Sequence, residues 1–180
     1  MVERGVTRPP CSVYIATSLD GFIARENGGI DWLSMVERPG EDYGFKKFFD
    51  SVDTMVMGRT TYDTVLRLDA WSYTGKRCVI LTHTSGVSRH GEEFDSGDVA
   101  ELVGRLGAEG SQRIYVDGGA VIAQFFAAKL IDEVTVSVIP ILLGEGRALA
   151  PKIGHDVRLE LTEHRAFESG LVQLTYRVMK

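Results

Sequence analysis

The chain has 180 residues, of which 44% are hydrophobic and 25% charged, and this length suits one domain with a large core. Its net charge is −5 and no run of Lys or Arg forms a basic stripe, so a nucleic-acid partner is not expected. No apolar run is long enough to span a bilayer, and the first ten residues lack the apolar core of a signal peptide. We therefore expect no membrane partner and a single cytoplasmic domain over residues 1–180, with residues 1–10 as a flexible N-terminus.

Strands and helices alternate along most of the chain, and its C-terminal part is rich in strands. In chain order the pattern predicts a strand at 11–17 continued through 22–24, a helix at 43–50, a strand at 54–57, a helix at 58–66, a strand at 77–82, a helix at 97–106, a strand at 113–116, a helix at 121–130, and strands at 133–139 and 171–178. This order favours an α/β fold whose sheet is mostly parallel and ends in antiparallel strands. Phe45, Phe48 and Phe49 form the expected buried face of the first helix. Cys11 and Cys78 fall in predicted strands, where two buried thiols are expected.

A pair of glycines stands where a predicted strand becomes a predicted helix, in the segment Asp117-Gly118-Gly119-Ala120. Glycines let a ligand approach the backbone closely, and the free N–H groups at a helix start favour an anion such as a pyrophosphate. Taken alone, the pair is equally compatible with a tight turn.

Two other strand ends have the same character. The segment Gly58-Arg59-Thr60-Thr61 has a glycine that lets a ligand approach the backbone closely, two hydroxyls and a guanidinium that can bind phosphate. Alternatively, Arg59 can be a solvated first-turn residue and Thr60 a helix cap. Thr82 and His83 follow the next strand and can contact an adenosine ribose or its phosphate. Because ligands of open α/β sheets bind at the carboxyl ends of strands, three such ends predict a dinucleotide. No Gly-x-Gly-x-x-Gly follows the first strand, so the pattern is not the Rossmann fingerprint.

In their joint order and spacing, these segments resemble the dihydrofolate reductase-like superfamily. The segments are 13–24, which contains Ser18-Leu19-Asp20-Gly21, then 56–62, then Asp117-Gly118-Gly119. The Ser-Leu-Asp-Gly turn and the later segment 140–146 are closer to the reductase domain of the riboflavin-pathway deaminase–reductase. The resemblance covers roughly residues 12–149. It implies a three-layer sandwich with a central, mostly parallel sheet, helices on both faces and an antiparallel C-terminal hairpin.

The resemblance also implies NADPH as the hydride donor to a small-molecule acceptor. Small residues near the first strand would leave room for the nicotinamide ring. Gly58 would allow the cofactor to approach the backbone closely, and the residues that follow it would hold phosphates. Thr82 and His83 would lie beside the adenosine ribose, and the glycine pair would receive the pyrophosphate. The implied cofactor-binding residues are Ala16, Ile23, Ala24, Gly58, Arg59, Thr60, Thr61, Thr82, His83, Gly118, Gly119, Ala120 and Val121.

Three carboxylates are candidates for the acceptor side. Asp20 would border the acceptor opposite the nicotinamide, although Asp20-Gly21 can equally be only a turn. Glu41 or Asp42 would protonate or orient the substrate if burial raised its pKa; otherwise both are solvated acids at a helix start. Ser137, on a strand expected to flank the pocket, is a weaker candidate. No His-x-Glu or Cys-x-x-Cys arrangement is present, so no metal site and no deaminase step are expected.

The leading interpretation is an NADPH-dependent reductase of the riboflavin-reductase type, acting on a pterin-like or ribosylated pyrimidine compound. A dihydrofolate reductase is an alternative, which dihydrofolate turnover would reveal, although the Leu-Pro segment of such enzymes is absent. A non-catalytic module that binds NADPH without oxidising it is a second alternative. The apolar segments 134–143 and 171–178 would leave an edge or face to be covered, so a homodimer is expected.

Overall fold

The computed structural model describes residues 8–67 and 71–180. These residues form ten strands: β1 (Cys11–Ser18), β2 (Phe22–Ala24), β3 (Thr54–Gly58), β4 (Arg77–Leu81), β5 (Glu93–Asp95), β6 (Ile114–Asp117), β7 (Ile131–Ile139), β8 (Arg147–Ala148), β9 (Leu159–Ala166) and β10 (Val172–Val178). They also form four α-helices: α1 (Phe45–Asp50), α2 (Arg59–Val65), α3 (Val99–Ala108) and α4 (Gly119–Ala127). A 3₁₀ helix covers Asp31–Val36.

Eight of the strands form one sheet in the order β5-β4-β3-β6-β1-β7-β10-β9. All pairs from β5 to β7 are parallel, and β10 pairs antiparallel with both β7 and β9. The predicted mostly parallel sheet with an antiparallel C-terminal hairpin is therefore confirmed. The parallel part brings the carboxyl ends of β1, β3, β4 and β6 to one edge, where ligands bind in sheets of this type.

Helices cover both faces of the sheet, as predicted. On one face, α3 and α4 bury Leu102, Leu106 and Phe125 against the valines of the central strands. On the other, Phe48 and Tyr62 from α1 and α2 pack on the inner residues of β3 and β4. The central strands are thus apolar on both sides, as strands of a covered parallel sheet should be. Among the described residues, no helix combines the length and the apolar character needed to cross a bilayer.

The chain before β1 is anchored from residue 8 onward. The Arg8 guanidinium makes two hydrogen bonds to the Asp132 carboxylate, at 2.8 and 3.0 Å, and the Cys11 N–H donates to the same group at 2.9 Å. The expected flexible N-terminus is therefore wrong for residues 8–10, and its remainder lies outside the described residues. Cys11 and Cys78 are buried free thiols as predicted, and desolvation raises the pKa of each to about 12.

Two local predictions are wrong. The residues of β2 do not continue β1 in the main sheet but pair antiparallel with β8 in a separate two-stranded sheet, because the chain reverses at Gly21, where φ is +86°. The first helix begins at Phe45, which is 38% exposed instead of buried. The strand β7 ends at Ile139, as predicted, and begins at Ile131, two residues before the predicted start. In addition, β9 was not predicted, because every residue of this edge strand is exposed and its sequence is largely polar.

Candidate functional site

A cavity of about 920 Å³ lies at the carboxyl ends of the parallel strands. All thirteen residues implied as cofactor-binding line this cavity, so the structure brings together segments that are up to a hundred residues apart. They come from the end of β1, the strand β2, and the junctions β3–α2, β4–β5 and β6–α4. A volume of this size is within the range of cavities that hold cofactors.

The glycine pair is required by close contacts at this junction. Gly118 has φ +89° and ψ 129°, a backbone conformation that residues with a Cβ rarely adopt, and a Cβ there would collide with the Thr61 hydroxyl. A Cβ at Gly119 would lie 2.5 Å from the carbonyl oxygen of Ala148 in β8. Both glycines therefore allow the start of α4 to sit directly beside α2 and the small sheet.

Arg59 lies in the first turn of α2 at the wall of the cavity. Its Nε donates to Asp63 at 2.8 Å, and both side chains are about 40% exposed, so this ion pair contributes little to stability. Gly58 is the N-cap of α2 and no side chain caps that helix, so the interpretation of Thr60 as a helix cap is wrong. Thr60 and Thr61 therefore keep their hydroxyls beside the cavity.

The two-stranded sheet covers the cavity from the side of β1. Ile23, Ala24, Arg147 and Ala148 from β2 and β8 all face the cavity. Arg147 is held by a hydrogen bond from its Nε to the carbonyl oxygen of Glu26 at 3.2 Å. The sheet thus brings small and apolar side chains opposite Ala16, together with a second guanidinium.

A smaller cavity of about 350 Å³ adjoins the first. It is lined by β1, the 3₁₀ helix, the segment before α1, and the inner residues of β7: Tyr14, Ile15, Ala16, Leu33, Val36, Glu37, Arg38, Glu41, Asp42, Tyr43, Phe45, Ser137, Ile139 and Leu171. Four of these residues, Tyr14, Ile15, Ala16 and Leu33, also line the larger cavity. The two cavities therefore meet along β1.

One amide group organises the polar side of the smaller cavity. Nε2 of Gln173 in β10 lies 2.7 Å from the hydroxyl of Tyr14, 3.0 Å from the carbonyl oxygen of Tyr43 and 3.0 Å from Oγ of Ser137. The Tyr14 hydroxyl donates to the same Tyr43 carbonyl at 2.6 Å, and the Tyr43 hydroxyl donates to the carbonyl of Val36. Hydrogen bonds thus join β7 and β10 to the segment before α1, which closes this cavity.

The three predicted acids do not behave alike. Asp20 lines neither cavity, because its carboxylate accepts hydrogen bonds from the N–H groups of Leu143 and Gly144 at 3.1 and 2.8 Å; the expectation that it borders the acceptor is wrong. Glu41 and Asp42 do line the smaller cavity. The N–H groups of Gly44 and Lys46 lower the pKa of Asp42, so the condition for a proton-donor role is not met by this residue, and it is an exposed acid at the start of α1.

Comparison with known proteins identifies the family. The RibD C-terminal domain matches residues 11–173. The chain belongs to the RibD C-terminal domain family. It is 37% identical to the uncharacterized protein YwjB of Bacillus subtilis (strain 168) over 168 residues, 91% of this chain and 95% of that protein.

Solved structures of related proteins have the same fold. A protein from Shewanella sp. PV-4 that is assigned by name to riboflavin biosynthesis superimposes with a TM-score of 0.89 at 34% identity, covering 95% of this chain and 99% of that one. The riboflavin biosynthesis reductase Rib7 of Saccharomyces cerevisiae superimposes with a TM-score of 0.69 at 16% identity, covering 99% and 93%, which is a likeness of fold. The RibD-type reductase domain and its dihydrofolate reductase-like fold, given above as a resemblance, are therefore confirmed.

In this RibD-type domain, the sequence analysis did not single out Asp117 as a titratable residue of the site. Its side chain lines the larger cavity beside Tyr73 and Tyr115, and its Oδ1 accepts a hydrogen bond from the N–H of Gly118 at 2.8 Å. Burial raises the pKa of Asp117 to about 6, whereas the other described carboxyl groups with a displaced pKa have it lowered. A carboxyl group directly before a glycine pair at a strand end is the sequence signal that points to it.

Proposed function

We propose that this protein is an NADPH-dependent reductase that transfers a hydride to a small heterocyclic acceptor of pterin or pyrimidine type. The observation that carries the proposal is the meeting of the two cavities along Tyr14, Ile15, Ala16 and Leu33. A ring bound in the larger cavity and a ring bound in the smaller one can lie against each other there. Direct hydride transfer requires contact between the nicotinamide ring and the atom of the acceptor that receives the hydride.

The larger cavity has the donors that a phosphorylated dinucleotide needs. The first turn of α4, from Gly119 to Val121, has no side-chain cap and offers its backbone N–H groups to a pyrophosphate. Arg59 engages Asp63 through Nε, and its guanidinium reaches the cavity wall where a 2′-phosphate would distinguish NADPH from NADH. Ala16 and Ala24 leave space for the nicotinamide ring beside the strand.

When bound, NADPH supplies the hydride, and the acceptor needs one proton in addition. Glu37, Glu41 and Asp42 are the carboxyl groups that line the cavity proposed for the acceptor, whereas Asp117 lines only the larger cavity. The protein's remaining task is to orient the two rings and to exclude water between them, which the apolar side chains of Ala16 and Leu33 favour.

The test is a fluorescence titration with NADPH and with NADH on the unaltered protein and on Arg59→Ala. The variant should bind NADPH at least about tenfold more weakly, because a charged hydrogen bond to phosphate contributes about 1.5–3 kcal/mol, and it should change NADH binding less. Arg177→Ala removes a guanidinium on β10 that lines neither cavity, and it should leave both affinities unchanged. If neither NADPH nor NADH binds the unaltered protein, the proposal is wrong.

The acceptor is tested by NADPH oxidation with dihydrofolate and with 5-amino-6-(5-phosphoribosylamino)uracil in parallel. Turnover of dihydrofolate would instead favour a dihydrofolate reductase. A protein that binds NADPH tightly but oxidises it with no heterocyclic compound would be a non-catalytic binding module.

We also propose that the protein is a homodimer. The edge strand β9 is exposed over its whole length, and Leu159, Leu161 and Val172 are 45%, 50% and 39% exposed on this part of the sheet. An exposed edge strand of eight residues with unpaired backbone groups on one side and two exposed leucines favours association with a second copy. Light scattering should therefore give about twice the chain mass of 19.8 kDa, and a mass near that of one chain would contradict this.

A further inference from the structure

The mouth of the smaller cavity is acidic. Glu37, Glu41 and Asp42 line it, against the single guanidinium of Arg38 among the described lining residues. That guanidinium donates to the backbone carbonyl of Glu37 at 2.7 Å and to that of Met35 at 3.4 Å, so it is already engaged at the end of the 3₁₀ helix. Glu41 and Asp42 likewise accept hydrogen bonds from backbone N–H groups. These bonds to neutral groups leave every charge in place, so three carboxylates against one guanidinium give this opening a negative local field.

The floor of the same cavity is apolar. Leu33, Ile139 and Leu171 supply aliphatic side chains, and Ile139 and Leu171 are almost fully buried. Aliphatic walls on both sides of a narrow cavity favour a flat, uncharged ring, because contact with them removes apolar surface from water without removing hydration from a charge.

Ser137 supplies one buried hydrogen-bond donor to this floor. Its side chain is 5% exposed, and its oxygen accepts a hydrogen bond from Gln173. Within the described part of the chain, no group accepts the proton of the Ser137 hydroxyl. Because the Ser137 oxygen already accepts the bond from Gln173, its proton can be donated to a ligand that offers a carbonyl oxygen or a ring nitrogen at this point.

The geometry points to an acceptor that is a flat, uncharged or cationic ring compound without a phosphate group, held by a carbonyl oxygen or ring nitrogen facing Ser137. This inference rests on the proposed function and narrows its substrate class. It separates this protein from a reductase of 5-amino-6-(5-phosphoribosylamino)uracil, the name of the activity in one related structure, from Thermotoga maritima. A phosphate monoester carries a charge of about −1.5 to −2 at pH 7 and would meet the three carboxylates at the mouth.

The experiment compares two ligands that differ only in phosphate. The protein is first saturated with NADP⁺, whose own binding is recorded. It is then titrated, without oxygen, with 5-amino-6-(5-phosphoribosylamino)uracil, with the same compound after phosphatase treatment, and with the uncharged bicyclic compound lumazine. We expect the dephosphorylated compound to bind at least about tenfold more tightly than the phosphorylated one, a difference of about 1.4 kcal/mol.

Two variants test the cause of this preference. Glu37→Gln removes one negative charge from the mouth and should reduce the ratio of the two dissociation constants by about threefold or more, whereas Glu101→Gln, on the exposed first turn of α3, should leave the ratio as it is. Ser137→Ala should weaken lumazine and the dephosphorylated compound by about fivefold to tenfold, the loss of one hydrogen bond.

The outcomes separate this inference from the proposed function. Equal or tighter binding of the phosphorylated compound would overturn the inference, and so would failure of all three compounds to bind the NADP⁺-saturated protein. A ratio that Glu37→Gln and Glu101→Gln change equally would also overturn it, because the preference would then not arise at the cavity mouth. If NADP⁺ itself does not bind, the proposed function fails first, and this is seen before any acceptor is added.

Discussion

The two cavities are built in different ways, although they share one wall. The larger one is formed chiefly by backbone at strand ends, by glycines and by the starts of α2 and α4. The smaller one is formed by side chains from the 3₁₀ helix, the segment before α1, and the antiparallel part of the sheet. Backbone recognition needs glycine and hydroxyl residues in fixed order, whereas a cavity lined by side chains can be made from many sequences. The comparison explains why one cavity was predicted residue by residue and the other was not.

The largest effect is expected at Gly118, which tests whether the backbone forms the larger cavity. Gly118→Ala should lower the free energy of unfolding by roughly 2–3 kcal/mol and abolish NADPH binding, because φ of +89° strains any other residue and the added Cβ meets Thr61. Gly104→Ala, in α3 with open space around it, should instead raise stability by about 0.5–1 kcal/mol. Thermal unfolding and nucleotide titration measure both. A stable Gly118→Ala protein with normal NADPH affinity would show that the backbone does not form the site.

A change in Asp117 should have an intermediate effect that depends on pH. The folded-state pKa of about 6 lies above the ordinary value, so the native state loses stability as pH rises from about 4 to 6 and remains less stable above it. Asp117→Asn should therefore be more stable than the unaltered protein by roughly 1–3 kcal/mol at pH 8 and about equal at pH 4. Urea unfolding at both pH values measures this. The same stability difference at pH 4 and pH 8 would contradict the raised pKa.

The smallest effect is expected at Gln173, and it would sharpen the distinction between the cavities. Gln173→Ala removes the amide shared by Tyr14, Tyr43 and Ser137 and should lower the free energy of unfolding by about 1 kcal/mol. Acceptor binding should weaken while NADPH binding changes less than about twofold, because the larger cavity does not include this residue. Gln112→Ala, in an exposed turn, serves as the control. Equal weakening of both ligands would show that the cavities are one unit.

The sequence was most informative about elements with apolar periodicity and about glycines in fixed order. The central strands and the helices α2, α3 and α4 are where the pattern placed them, and Asp98 caps α3 near the predicted start. The edge strand β9 escaped prediction because a strand that buries neither face has no alternation to reveal it. The 3₁₀ helix at Asp31–Val36 has only six residues and shows little apolar periodicity, so the smaller cavity that it lines could not be predicted from the sequence.

The acids show the same limit at the level of single residues. Asp20 and Asp42 are carboxylates near the expected positions, but each binds backbone N–H groups, a use that residue type and spacing do not distinguish from catalysis. Asp117 lies in a segment that was predicted correctly, yet its pKa is raised by burial, which only the folded chain provides.

The wall common to both cavities has a consequence for protein engineering. In the proposed arrangement, a substitution at Ala16 in β1 changes the surroundings of both ligands at once. Residues 33–45 and the positions Ser137 and Leu171 lie mostly on the acceptor side alone, and they can be randomised in a library while the nucleotide site stays constant. Selection for new substrates should therefore collect its successful changes outside β1, and a graft of segment 33–45 from a relative should transfer acceptor preference without transferring cofactor preference.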